Sequence, residues 1–372
     1  MCLSRIELAA GAGLNLDTKR IEGPMHTVER GAVRRSMEFM TVFLVLLALP
    51  VGPAHGQAEG LTPAQVAQIE AVSSVAISED GRYIAYTRVV PADPFTTNVT
   101  PTAQLHVHDR ETGEFRALYM ATSVAGVAFR PGHGTITFLA TAEQGVPRSV
   151  YELPVAGGTP ARVFDFDRPI LGYAWSPDGD RLAFMANEQV DAPATPLPYE
   201  PEFYEENQPQ RLGYVVDVTG GQEPRAIRHR GSYHHVEWSP QGDRIAVGVA
   251  PTPRIDDTFM AQSVKVIDAT TLEVVTDIDN AGKLGAIRWS PDGQRLALLA
   301  GHDINDPIDG RIMVVSASGG TPSNILPEFE GKFEAIAWTG TDRIHFIASR
   351  GVESVFGTVR PDGTGMETLV SP

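Results

Sequence analysis

The sequence predicts an all-β chain: a propeller of four-stranded blades behind an export leader and a short helix. Three observations lead there. A ten-residue phrase recurs, WSPDGDRLAF from Trp175, WSPQGDRIAV from Trp238 and WSPDGQRLAL from Trp289. Aligned on the residue before that turn, six units appear at Ile77, Phe129, Trp175, Trp238, Trp289 and Trp338. Their spacing is about 50 residues, and each unit reads as four short strands, which is the period and content of a propeller blade. A β-sandwich would not repeat one turn so faithfully, and an open solenoid needs polar caps that neither end supplies.

In chain order, residues 1–56 read as a leader. Arg34 and Arg35 precede an unbroken apolar run at 39–49, FMTVFLVLLAL, then Pro50 and the small residues Ala54 and Gly56. That is a secretory signal peptide cleaved near Gly56, too short to span a bilayer as a helix. Export to the periplasm or outside the cell follows. Residues 57–72 should carry a short helix, LTPAQVAQIEAV, with Thr62 as N-cap and Pro63 at the first helical position. The propeller then takes 73–372, in units near 73–120, 122–165, 168–228, 231–278, 281–327 and 330–371. In each turn Pro presets φ, Asp accepts from nearby backbone N–H groups and Gly enters the left-handed region. The preceding Trp fills the gap between neighbouring sheets. Either six blades close the ring, or a seventh follows residue 372.

Composition removes several classes of function. The formal charge is −16, which repels phosphate backbones and anionic lipid, so neither nucleic acid nor a membrane surface is an expected partner beyond the signal peptide. The one cysteine, Cys2, lies in the leader, so no disulfide or thiolate chemistry is expected of the exported chain. No Gly-x-Ser-x-Gly, HExxH, CxxC or Walker loop occurs, and SASGG at 316–320 belongs to a strand-ending turn. No catalytic residue, metal site or cofactor is therefore expected. The His106/His108 and His234/His235 pairs lack a carboxylate cluster at ligand spacing. The loop DINDPIDG at 303–310 offers Asp303, Asn305, Asp306 and Asp309, but Pro307 and the spacing break the calcium-loop pattern.

The third unit departs from the repeat. Its extra length falls at 189–210, where Tyr199, Phe203 and Tyr204 alternate with Glu200, Glu202, Glu205 and Glu206 among prolines. Long loops on rigid scaffolds carry binding sites, and adjacent carboxylates can hold an ammonium group.

With the units laid out, the chain resembles the N-terminal propeller of the prolyl oligopeptidase (S9) group of serine peptidases, which includes dipeptidyl peptidases and acylaminoacyl peptidases. The entry segment at 61–91, the WSPDG-type turns at 175, 238 and 289, GGTP at 157–160 and 319–322, RIDDTFM at 254–260 and DINDPIDGRIMVV at 303–315 carry the likeness. The resemblance implies a propeller that gates substrate for an α/β-hydrolase domain, on which the catalytic triad lies. That domain is missing from this sequence, so the chain is not expected to hydrolyse peptides alone. It also implies that Tyr204, Glu205 and Glu206 match a Tyr-Glu-Glu group that binds a peptide's free amino terminus. The alternative is a stand-alone, TolB-like periplasmic propeller that binds a protein partner.

Overall fold

A computed structural model describes residues 60–190, 199, 204–308 and 310–371. The expected leader, with its apolar run and Cys2, lies outside the described residues, as do Glu200, Glu202, Phe203 and Asp309. The described chain falls into two compact units, residues 60–69 and the propeller from Glu70 onward.

In the first unit, helix α1 spans Pro63–Ala67. Thr62 Oγ1 accepts the Gln65 N–H at 3.2 Å, and the Gln65 side chain accepts the Thr62 N–H at 2.9 Å, a reciprocal cap that satisfies two otherwise orphaned donors. The helix starts where the capping residues indicate, but it is shorter than the stretch to residue 72. From Ala71 the chain is strand, paired with Val89, because sheet pairing outweighs the weak helical preference of so short a segment.

Six antiparallel four-stranded sheets make the second unit. Blade 1 comprises β1–β4 (Ala71–Ile77, Tyr83–Val90, Thr102–Asp109, Phe115–Tyr119) and blade 2 comprises β5–β8 (Ala125–Arg130, Thr135–Ala140, Ser149–Pro154, Ala161–Phe164). Blade 3 is β9–β12 (Ile170–Trp175, Arg181–Asn187, Arg211–Asp217, Arg225–Ala226), and blade 4 is β13–β16 (Ser232–Trp238, Arg244–Ala250, Ser263–Asp268, Val274–Ile278). Blade 5 is β17–β20 (Leu284–Trp289, Arg295–Ala300, Arg311–Ser316, Ser323–Asn324), and blade 6 is β21–β24 (Lys332–Thr339, Arg343–Arg350, Glu353–Val359, Glu367–Val370). The first strand of each blade packs on the first strand of the next, so these strands line the axis.

The WSPDG phrase is a turn locked twice. In blade 3, Ser176 Oγ, fully buried, takes the Arg181 N–H at 3.0 Å while Asp178 takes the Asp180 N–H at 3.1 Å. Ser239 and Ser290 do the same for Arg244 and Arg295. The last residue of the phrase reaches forward. Arg181 stacks over the Trp238 ring of the next blade at 4.7 Å and donates to Gly242 O in the same turn at 2.9 Å. Arg130 clamps Trp175 and Gly179, Arg244 clamps Trp289 and Gly293, and Arg295 clamps Trp338 and Thr341. Each Trp also donates its indole N–H backward, Trp238 to Ala174 O, Trp289 to Glu237 O and Trp338 to Arg288 O, all at 3.1 Å. The Trp of one unit and the Arg of the unit before it thus form one joint.

Five apolar clusters fill the spaces between successive blades, and among the described residues none joins blade 6 to blade 1. Strand burial records the same fact. β10, β14 and β18 are buried almost throughout, as expected for sheets covered on both faces, whereas β2 and β22 alternate like sheets covered on one. Among the described residues every blade is built from consecutive strands, and no terminal strand completes the first sheet. The described strands form a six-bladed propeller.

Candidate functional site

Antiparallel pairing sends the WSPDG turns to one face of the propeller and the connections between second and third strands to the other. That second face collects the described parts of the 188–210 connection in blade 3, helix α2 (Ile255–Met260) in blade 4 and the 301–308 turn in blade 5.

Two hydrogen bonds close the stem of the blade 3 connection, Glu188 N–H to Gln210 O at 2.7 Å and Gln210 N–H to Glu188 Oε1 at 2.9 Å. Tyr204, Glu205 and Glu206 follow one another here, with Tyr204 84% exposed. Glu205 and Asn207 sit at φ 56° and 55°, left-handed backbone that costs a non-glycine residue about 1 kcal/mol. Two such residues bracket Glu206 in a tight turn that leaves Glu206 exposed and Glu205 half-buried, with the Tyr204 hydroxyl donating to Glu205. The Glu205 charge raises the Tyr204 phenol above its ordinary value, with a smaller contribution from Asp256 at the start of α2, so the tyrosine stays a donor. Tyr199, in the same connection, is also exposed.

The other residues singled out from the sequence have structural roles. His106 stacks on Tyr86 at 5.5 Å and His108 on Phe115 at 4.0 Å, both on one face of blade 1. In the 303–308 turn, Asp303 caps the Asn305 N–H, while Asp306 accepts the His302 and Ile308 N–H groups and Arg311 Nε. These oxygens are spent on the loop's own backbone, beside a cleft of about 370 Å³. Among the described residues, no group of three or more His, Cys, Asp or Glu side chains is placed to hold a metal ion.

Cationic residues that the sequence reading passed over meet on the same face. Arg148, ahead of β7, donates Nε–H to Ile170 O at 2.8 Å, and Ile170 returns its N–H to Arg148 O at 2.9 Å. Arg211, which opens β11, occupies the matching place one blade on and lies 3.3 Å from His234 Nδ1 on β13. Burial lowers both arginines, and Arg148 lowers Arg211 further. Burial also brings His234 down to about 4, with Arg211 adding to it, and His235 down to about 4, with His234 adding to it.

Both imidazoles are therefore neutral when folded, against about 6.5 in an unfolded chain. Between pH 6.5 and 4 the unfolded state binds more protons, so stability is full above that window and falls as pH drops through it. Asp109, held at about 2 by Arg82, does not titrate there. Thermal melts should show Tm declining from pH 6.5 to 4, and a His234→Gln, His235→Gln variant should show a flatter decline. An unchanged slope in that variant would assign the acid sensitivity elsewhere.

No protein-family model matches the sequence, and no curated protein matches it. Solved structures do. The acylaminoacyl peptidase of Pyrococcus horikoshii aligns over 83% of this chain at 12% identity and TM-score 0.57, a match that takes up 47% of that peptidase. An acylaminoacyl peptidase in complex with Z-Gly-Gly-Phe-chloromethyl ketone aligns over 83% of this chain and 52% of its own, at 13% identity and TM-score 0.54. The β-propeller domain of the trilobed protease from Pyrococcus furiosus, which has an open velcro topology, covers 82% of this chain and 85% of its own at 12% identity and TM-score 0.54. The class is thus a six-bladed propeller of four-stranded blades. Within it, the chain is structurally similar to the propellers of acylaminoacyl peptidases, and it spans about half the length of those enzymes.

Proposed function

We propose that this protein is the non-catalytic, substrate-gating propeller of an exported serine peptidase of the prolyl oligopeptidase group, working with an α/β-hydrolase domain that lies outside these 372 residues. In this reading Tyr204, Glu205 and Glu206 receive the free amino terminus of a peptide substrate. The observation that carries it is the left-handed turn that offers two adjacent carboxylates and a tyrosine hydroxyl on the propeller face bearing the long connections. The likeness of the fold to acylaminoacyl peptidase propellers supports the peptidase context. An ammonium group between two carboxylates gains charge-assisted hydrogen bonds of about 1.5–3 kcal/mol each.

Calorimetry with a short peptide and its N-acetylated form tests this. The free amine should bind at least about tenfold more tightly, and Glu205→Gln with Glu206→Gln should remove that preference. Equal binding of the two peptides by the unmodified protein would overturn the site. Binding of a folded protein partner, with no peptide binding at all, would instead favour the stand-alone, TolB-like reading.

A further inference from the structure

We propose that Arg148, Arg211 and His234 form a receptor for a carboxylate where blades 2, 3 and 4 meet. The topology brings them together. Arg148 hydrogen-bonds the first residue of β9, and Ala186, the partner of Ile170, pairs in turn with Leu212 beside Arg211. Three strand spacings, roughly 15 Å, separate the backbone positions. Two arginine side chains reaching toward each other can span that gap, and Arg148 adds to the lowering of Arg211.

The unused hydrogen-bonding capacity is what points to an anion. Arginine only donates, so His234 Nδ1, 3.3 Å from Arg211 Nη1, must accept, and the neutral ring carries its proton on Nε2. That Nε2–H is buried without an acceptor among the described residues, and so is Arg211 Nε–H. Gln210 Oε1 and Gln262 Oε1 are the buried side-chain acceptors left unmatched among the described residues. Arg148 has a bond only from Nε, which leaves its Nη groups free of any described acceptor. No carboxylate pairs with Arg148 or Arg211 among the described residues, although the chain carries 46 acidic residues against 30 basic ones. Two partly desolvated guanidinium groups and an imidazole N–H thus share one junction, with donors unmatched among the described residues.

The number and shape of the donors select the ligand. A guanidinium fork matches the two oxygens of a planar carboxylate. With His234 neutral, the site holds two positive charges in an acidic protein, which suits a monoanion better than a doubly charged phosphate. The free carboxyl terminus of a short peptide is the source we assign. This assignment uses none of the residues proposed to bind the amino terminus, so each can fail alone.

The test uses an N-acetylated tripeptide as its free acid and as its C-terminal amide, with sodium acetate and inorganic phosphate as further probes. By calorimetry the acid should bind at least tenfold more tightly than the amide. Arg148→Met or Arg211→Met should each remove at least tenfold of that affinity, while Glu205→Gln with Glu206→Gln should leave it unchanged. In the unmodified protein, the 15N resonance of His234 Nε2 should shift on adding the acid and stay in place with the amide, a readout that does not depend on any variant folding. Acetate binding without a peptide preference would keep the receptor and assign it to small organic acids. Equal binding of acid and amide with no His234 shift, or response to phosphate alone, would overturn the proposal.

Discussion

Trp238→Ala should lower Tm by about 10 °C. The indole is 7% exposed, packs between blades 3 and 4 with Ala174, Ala183, Met185 and Ile267, and donates to Ala174 O. Emptying such a site costs about 3–5 kcal/mol, and a chain of this size loses roughly 2–4 °C per kcal/mol. Arg181 loses its stacking partner as well, so part of the loss is shared. A double-mutant cycle with Arg181→Lys, which keeps the charge but not the planar fork, should show a coupling of about 1 kcal/mol. Ile77→Ala, at the same place in blade 1 where no arginine stacks, should cost less than Trp238→Ala. If differential scanning calorimetry finds Trp238→Ala within 2 °C of the unmodified protein, on the order of the effect of a surface change, the joint does not hold the blades.

Gly179→Ala should cost at least about 2 kcal/mol, from two sources that a control separates. Gly179 lies at φ +73°, where a side chain is strained whatever the space. Its added Cβ would also stand 2.3 Å from Pro131 O of the preceding blade, a backbone atom with little freedom to retreat. Gly132 has a similar φ of +71° with nothing within 4 Å, so Gly132→Ala reports the backbone cost alone. Urea unfolding of both variants should show Gly179→Ala as the more damaging by at least about 1 kcal/mol. Equal losses would mean that blade 2 yields to the new methyl group.

The fold was legible because its signal is local. Ser, Pro, Asp and Gly close each hairpin through bonds within five residues, and that chemistry repeats wherever the letters do. Thr62 and Pro63 likewise announced the start of α1, but its early end was set by β1 pairing with a strand beyond the next turn. The blade joints were half visible. The phrase shows its Trp and its Arg, yet Arg181 acts on Trp238, and only the ring geometry reveals that the two letters of one unit serve different neighbours. The Arg148–Arg211–His234 junction was hidden for the same reason. Its members come from three blades, and a count of charges along the chain dissolves them in an acidic background.

The joint between blades has a direction. Each of blades 3, 4 and 5 presents a tryptophan to the unit before it and extends an arginine to the unit after it, as monomers in a polymer carry a tail and a head. Blade 6 ends with its head unengaged, since Arg343 folds back to Gly365 O of its own sheet at 3.3 Å. Blade 1 has no matching tail, because Ile77 stands where the others carry an aromatic ring. The described blades therefore form a directional series, whose first and last members carry different halves of the joint. Blades 3, 4 and 5 each carry both halves of the joint, so duplicating or removing one of them would change the curvature while leaving every bond type in the series intact.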